Sequence, residues 1–185
     1  MFVRTERLTL RPGWAEDAPL LAEAIGHEQV VRNLARAPWP YPPEAAESYV
    51  QSFGDATEPK FLIFEHLDGR IRLIGGMGIG AHKDKSQDFG YWITPDAWGR
   101  GYATEAGRAV LRAAKAAGVR HVTAANYVDN PASGRVLRKL GFRPTGGIVS
   151  QYSRGRGGEA PAARYAIDLS EGDHCDVDPD ARMAA

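Results

Sequence analysis

Residues 89–106 read FGYWITPDAWGRGYATEA, and the change of pattern inside this stretch decides the fold. Tyr91, Trp92, Ile93 and Thr94 belong to a strand that Pro95 ends, because proline fixes φ and has no N–H to donate. The run Trp98-Gly99-Arg100-Gly101-Tyr102-Ala103 then marks a helix start. Ala103, Ala106, Val110, Ala113 and Ala117 recur at helical spacing up to Gly118, and residues 121–127 return to a strand pattern. A strand, helix and strand of this length predict a parallel, right-handed crossover over residues 89–127. The glycines let a ligand approach the backbone, and free N–H groups in the first helical turn suit a pyrophosphate, with Arg100 available for a charge-assisted contact. Taken alone, the same residues serve equally well as a tight strand-to-helix turn.

Working outward, Leu8 and Leu10 alternate with polar neighbours in a half-buried strand closed by Pro12-Gly13. Helices are expected over 15–25, from about 28 fading by 37, and over 44–53, with a stiff aromatic loop, Pro38 to Pro43, before the last. Residues 60–67, 70–80 and 87–94 read as strands in two hairpins, separated by Asp68-Gly69 and by the polar residues 83–86. Asn130 is an N-cap before Pro131, and the helix it opens faces Val136, Leu137 and Leu140 inward and stops at Gly141. Two final strands, 145–153 and 163–169, flank Arg154-Gly155-Arg156-Gly157-Gly158. The fold class is α+β: a mixed, mostly antiparallel twisted sheet of about seven strands flanked by helices, around a central parallel strand–helix–strand unit. Residues 1–169 are expected to form one domain, and 170–185 an acidic tail without fixed structure.

Lys plus Arg and Asp plus Glu balance at 23 each, so no global field draws the chain to nucleic acid. Cys175 is the only cysteine, which excludes an internal disulfide and cysteine zinc sites and fits a reducing cytoplasm. The five histidines lack metal-ligand spacing, so no metal is expected. With neither a signal peptide nor a run of ~20 apolar residues, no membrane association is expected.

Gly90-Tyr91-Trp92-Ile93 followed by Trp98-Gly99-Arg100-Gly101-Tyr102-Ala103-Thr104-Glu105-Ala106 resembles the acetyl-CoA signature of the GNAT acyltransferase superfamily. Thr5-Glu6-Arg7 with Leu8-Thr9-Leu10-Arg11, and Asn130-Pro131-Ala132-Ser133 with Leu140-Gly141-Phe142, resemble the ribosomal-protein N-terminal acetyltransferase subgroup, the RimJ/RimL-like enzymes. The resemblance implies acetyl-CoA as acyl donor. Trp92, Ile93 and Thr94 would offer strand backbone to the pantetheine, and the amides of Gly99, Arg100, Gly101, Tyr102, Ala103 and Thr104 would hold the pyrophosphate. Asn130 would hydrogen-bond the pantetheine arm where the parallel strands part, besides capping its helix. Arg135 and Arg138 would lie near the nucleotide. The family loop usually opens with Gln or Arg where this chain has Trp98; backbone contacts survive that change, and Arg100 is placed to compensate.

Aminolysis of a thioester needs a neutral amine, an N–H donor for the oxyanion and an acid for the leaving thiolate. The resemblance implies Ser133 as that acid, beside its plain reading as a polar first-turn residue. Asp88 is the candidate base, acting through water, with an ordinary solvated strand-end carboxylate as the alternative and His82 as a competitor. Backbone near Trp92 or Ile93 would supply the oxyanion donor. The implied acceptor is an amine: a peptide N-terminus, whose lower pKa leaves more free base, or a small molecule such as an antibiotic, polyamine or amino acid. A catalytically idle CoA-binding module is the rival reading, and a homodimer stays open.

Other features need a separate reading. Gly75-Gly76-Met77-Gly78-Ile79-Gly80 lacks the spacing of a dinucleotide loop and reads instead as small residues past which substrate or cofactor runs closely. The Arg154 to Gly158 run resembles an RNA-binding tract but lacks interleaved aromatics, and a hairpin tip is expected, with an acidic peptide or partner subunit as its functional alternative. Glu105 sits where a helix N-terminus favours negative charge and needs no catalytic role. Trp39 and Tyr41, in the proline-rich loop, are the place to look for acceptor selectivity.

Overall fold

Short connections favour antiparallel neighbours, and a helical crossover is the one way this chain makes a parallel pair. The computed structural model describes residues 1–53, 58–67, 69–81 and 87–170. In it, one sheet runs in the order β1-β2-β3-β4-β5-β6-β8-β7. The strands are β1 (Val3–Arg4), β2 (Leu8–Arg11), β3 (Lys60–Leu67), β4 (Arg70–Ala81), β5 (Gln87–Ile93), β6 (His121–Tyr127), β7 (Arg143–Ser153) and β8 (Gly158–Asp168). Among the described residues only β5 and β6 pair in parallel, joined by the long helix α4 (Tyr102–Ala116). The mostly antiparallel α+β sheet expected from the sequence is the one observed, with one strand more. The addition, β1, is two residues long and shows no alternation to read; its pairing with Leu10 and Thr9 makes it a strand. Edge strand β7 begins earlier than expected, at Arg143, and absorbs Pro144, Gly146 and Gly147 in an irregularity between Pro144 and Ile148.

The remaining helices are α1 (Ala18–Ile25), α2 (Glu28–Val31), α3 (Pro43–Gln51) and α5 (Pro131–Lys139). The first expected helix opens instead as a 3-10 turn, Ala15–Asp17. Asp17 explains it: the carboxylate accepts the Trp14 N–H at 2.8 Å and both Arg11 guanidinium nitrogens at 2.6 and 2.7 Å, holding the chain in a tight turn. Helix α2 ends at Val31 and does not run on towards 37. The carbonyls of Arg32 and Leu34 are taken by the Ser153 hydroxyl, and that of Arg32 also by the Arg156 guanidinium, so tertiary donors replace helical ones.

The sheet divides the core in two. Leu8, Leu10, Phe61, Ile63, Met77, Phe89 and Ile93 pack against α4 and α5, while Leu62, Phe64, Leu73 and Trp92 pack against α1, α2 and α3. Among the described residues no helix is long and apolar enough to cross a membrane. His82, residues 83–86, Asp68 and the tail from 171 onward lie outside the described residues.

The glycines of β4 correct one expectation. A Cβ on Gly75 would lie 2.4 Å from the Trp92 carbonyl oxygen, and one on Gly76 would lie 2.6 Å from the Trp92 indole nitrogen. At Gly78 a Cβ would lie 3.0 Å from Lys60 and from the Pro59 carbonyl, while Gly80 faces only the movable ends of Glu58 and Lys60. Gly75 and Gly76 are small because the neighbouring strand and the Trp92 ring lie over them, which leaves no space there for substrate or cofactor. Gly75→Ala meets backbone that cannot move aside. It is expected to cost about 1–3 kcal/mol, read as a fall in melting temperature of roughly 2–4 °C per kcal/mol; an unchanged melting temperature refutes this packing account.

Candidate active site

Strand β5 follows β4 to its end while β6 follows β8, and the two cannot stay together. Their parallel pairing comprises Gln87 with Val122, Asp88 with Thr123 and Phe89 with Ala124. Beyond it, β5 continues against β4 to Ile93 and β6 against β8 to Tyr127, leaving a wedge between them. The Thr94 N–H goes to the Ile74 carbonyl, and the Trp92 carbonyl lies over Gly75, so the main-chain groups of Trp92 and Thr94 point to β4. Alternation then turns those of Tyr91 and Ile93 to the wedge. The Ile93 carbonyl accepts the Trp98 indole N–H at 2.7 Å. Trp98 thus ties the loop to the strand end, a role its position in the sequence did not announce.

At the open end of the wedge the loop before α4 turns through Gly99 and Gly101, with φ of +74° and +80°. Both are left-handed conformations that side chains rarely adopt. Among the described residues no hydrogen bond occupies the N–H groups of Gly99, Arg100, Gly101, Tyr102 and Ala103; the series resumes with Thr104 and Glu105, which donate to the Gly101 carbonyl. Space is open above Gly99. Unpaired donors at the start of a 15-residue helix make a cradle suited to an anion such as a pyrophosphate.

Two polar latches fix this loop. Glu105 accepts the Thr5 hydroxyl at 2.6 Å, the Arg7 backbone N–H at 3.0 Å and the Arg7 Nε at 2.8 Å, while Arg7 Nη1 donates to the Arg100 carbonyl at 3.0 Å. Burial alone would raise the Glu105 carboxyl; the bonds from Thr5 and Arg7 together outweigh it and hold it below the ordinary range. On the other side Arg72 bridges Glu65 and Asp96, and the Thr94 hydroxyl donates to Asp96 at 2.8 Å. Sequence reasoning named Thr5 and Arg7 only as part of a motif. Their partner lies about a hundred residues away, beyond any local signal.

Across the wedge, the Asn130 side chain caps α5 by accepting the Ser133 N–H at 3.3 Å. Asn126, buried on β6, donates to the carbonyls of Tyr127 and Asn130 at 2.8 and 3.1 Å and so shapes the turn that presents both residues. Helix α5 lies close at Gly134, where a Cβ would be 2.9 Å from the Tyr165 hydroxyl. That approach brings Ser133 Oγ to 3.0 Å from the Tyr91 hydroxyl, which donates to it. Neither Tyr91 nor Asn126 signals its partner in sequence.

Asp88 accepts the Thr123 hydroxyl at 3.0 Å at the closed end of the wedge. The strand pleat puts Asp88 on the face of Trp92 and Tyr91 on that of Phe89, so Asp88 and the Tyr91–Ser133 pair approach from opposite faces, about 10 Å apart along the strand. Arg138 donates to the Tyr165 hydroxyl at 3.3 Å, and Arg135 is exposed on the same helix.

The arginine-rich hairpin tip is not a free basic tract. Arg156 makes a two-pronged contact to Asp129, at 2.8 Å in both bonds, reaches the Arg32 carbonyl at 2.6 Å and stacks 4.5 Å from the Tyr127 ring centre. A Cβ on Gly155 would lie 2.7 Å from Val31. The tip closes over α2 beside the Asn130 turn, which spends the Arg156 charge inside the molecule.

A model of the acetyltransferase (GNAT) domain family matches residues 7–143. The uncharacterized N-acetyltransferase YoaA of Bacillus subtilis is 30% identical over 175 residues, covering 89% of this chain and 95% of its own. Among solved structures, a GNAT-family acetyltransferase from Bacillus anthracis is similar with a TM-score of 0.77 at 23% identity, covering 92% of this chain and all of its own. An acetyltransferase from Salmonella typhimurium that modifies the N-terminal serine of the 50S ribosomal protein L7/L12 gives 0.75 at 20% identity, over 91% of this chain and 99% of its own.

Glu105→Gln tests the first latch. Because the folded-state pKa is depressed, the carboxylate's contribution is present above the unfolded value of about 4.3 and is lost as the pH falls through the folded one. Urea melts should show a deficit of about 1–3 kcal/mol at neutral pH that shrinks on acidification; a deficit independent of pH contradicts the charge-based latch.

Proposed function

This chain belongs to the GNAT acetyltransferase family and is an acetyl-CoA-dependent N-acetyltransferase; from that premise we propose that its acceptor is the α-amine of a protein N-terminus. The split of functional groups across the wedge supports the transfer to an amine. Asp88 stands on one face and Ser133 on the other, with strand backbone between them. The likeness to the Salmonella enzyme, which acts on an N-terminal serine, supports the N-terminal acceptor.

Bound acetyl-CoA supplies an activated acyl group. The free amides of Gly99 to Ala103 hold its pyrophosphate, with Arg100 beside them and Arg135 and Arg138 toward the nucleotide. Asn130 and the backbone of Ile93 orient the pantetheine arm. Asp88 takes a proton from the incoming amine through water. An α-amine of pKa about 7.7–8.0 reaches the neutral form more readily than a lysine near 10.4, so a carboxylate base suits the former better. Ser133 Oγ delivers a proton to the departing sulfur.

Release of CoA thiol, measured with peptides starting in serine or alanine, with spermidine and with free serine, separates the acceptors. Peptides are expected to exceed the small amines at least tenfold in kcat/KM. A preference for spermidine or free serine overturns the N-terminal assignment, and acetyl-CoA binding without turnover on any of them leaves an idle binding module.

Two substitutions test the site. Gly101→Val forces a branched side chain into a left-handed conformation within the amide cradle, and acetyl-CoA binding by calorimetry should be lost while circular dichroism stays native. Ser133→Ala should lower kcat with the acetyl-CoA affinity within about twofold of wild type; an unchanged kcat under chemistry-limited conditions removes Ser133 as the acid.

A further inference from the structure

A serine hydroxyl is a poor acid by itself, and the structure supplies it with a better one. Ser133 Oγ lies in the first turn of α5, past the end of β6; Tyr91 lies on β5, two residues beyond the last residue paired with β6. Their 3.0 Å hydrogen bond spans the wedge between the diverging strands. Tyr91 is held there firmly. Its ring stands 5.9 Å from that of Phe89, which in turn stacks at 5.5 Å on Phe142. Among the described residues Ser133 is the only hydrogen-bond partner of the Tyr91 hydroxyl.

The direction of the bond matters. With Tyr91 donating, Ser133 Oγ accepts on a lone pair and its own proton remains free to point into the wedge. The reverse orientation would spend the serine proton on the tyrosine and leave nothing to offer a ligand. Burial raises the pKa of Tyr91 and the contact with Ser133 partly offsets that, so the phenol stays protonated and able to donate across the neutral range.

We propose that Tyr91 backs Ser133 in a two-proton relay to the leaving thiol, with Tyr91 as a positioning and proton-supplying residue that never touches the cofactor. As the carbon–sulfur bond breaks, its electron pair stays on sulfur, which takes the proton of Ser133 Oγ. Ser133 takes the proton of the Tyr91 hydroxyl. The tyrosinate left behind recovers a proton from solvent, replacing the one the amine gave up on forming the amide. A phenol is a stronger acid than an aliphatic alcohol even where burial raises it, as it does for Tyr91, so the relay places a more acidic group behind the serine. This inference rests on the role of Ser133 proposed above.

The test uses Tyr91→Phe, Ser133→Ala and the double variant, with acetyl-CoA and whichever of the serine peptide, alanine peptide or spermidine the wild type acetylates fastest. Tyr91→Phe removes one oxygen and is expected to lower kcat about tenfold or more, with KM for acetyl-CoA within about twofold. In the Ser133→Ala background the same change should make less than about a twofold difference, because the relay is already cut. In mixtures of light and heavy water the wild type should give a curved dependence of kcat from two moving protons, and Tyr91→Phe a linear one. A Tyr91→Phe variant with wild-type kcat overturns the relay, and so does a full multiplicative loss in the double variant or an unchanged curvature. The outcomes separate the two claims: a slow Ser133→Ala beside a normal Tyr91→Phe leaves Ser133 as acid and removes only the relay, whereas a normal Ser133→Ala removes both.

Discussion

Among the described residues three pairs join β5 to β6, and the site depends on their stopping at Phe89 and Ala124. A longer parallel ladder would close the sheet and leave no exposed backbone for a ligand to meet. A shorter one would free β6, α5 and Asn130 from the strand that leads into the amide cradle. The divergence follows from the outer pairings, since β5 stays with β4 to Ile93 and β6 stays with β8 to Tyr127 while the sheet twists. The hydrogen-bonding groups left facing the wedge call for partners, and an extended ligand lying between strands can provide them.

A wedge open at one end needs its mouth held in place, and here polar contacts do what apolar packing cannot. Gly99 and Gly101 occupy left-handed backbone and give the loop no side chains with which to anchor itself. Anchoring comes from outside: Arg7 and Thr5 on Glu105, Arg72 on Asp96, and the Trp98 indole on the Ile93 carbonyl. Arg7 also lies 4.6 Å from the Tyr102 ring centre, so one guanidinium steadies the first helical turn and the Arg100 carbonyl together. The amides can then stay unpaired within the protein because their neighbours are fixed, and a preorganised row of donors loses little freedom when an anion arrives.

Chemistry is divided between the faces of the sheet by the strand pleat. Odd-numbered residues of β5 look toward α4 and α5, even-numbered ones toward α1 and α3, so Tyr91 meets Ser133 while Asp88 meets Thr123. A donor and a base placed on opposite sides of one gap cannot quench each other by direct contact. The hairpin tip adds a wall on the second face: Arg156 binds Asp129 and Arg32 and fastens α2 to the turn that carries Asn130. A basic run that suggests a ligand in sequence is thereby a structural clamp.

The sequence by itself determined the cofactor unit and the class of fold. The Pro95 stop, the paired glycines before Tyr102, the helical spacing through Ala117 and the Asn130-Pro131 cap are local signals, each set by backbone dihedrals or by the hydrogen bonds of a helix end, and such signals survive without a partner. What it left undetermined was every decision made by contact at a distance. The two-residue β1 exists only through Leu10 and Thr9, α2 stops where Ser153 and Arg156 claim the carbonyls of Arg32 and Leu34 just past it, and Gly75 and Gly76 of β4 are small because of the Trp92 ring and the neighbouring strand. Thr5, Arg7 and Glu105, or Tyr91 and Ser133, are ordinary polar residues until folding brings them within hydrogen-bond reach. Periodicity encodes which face a side chain takes; only the closed tertiary structure decides which partner it finds there, because that depends on strand register and helix approach set by the whole core.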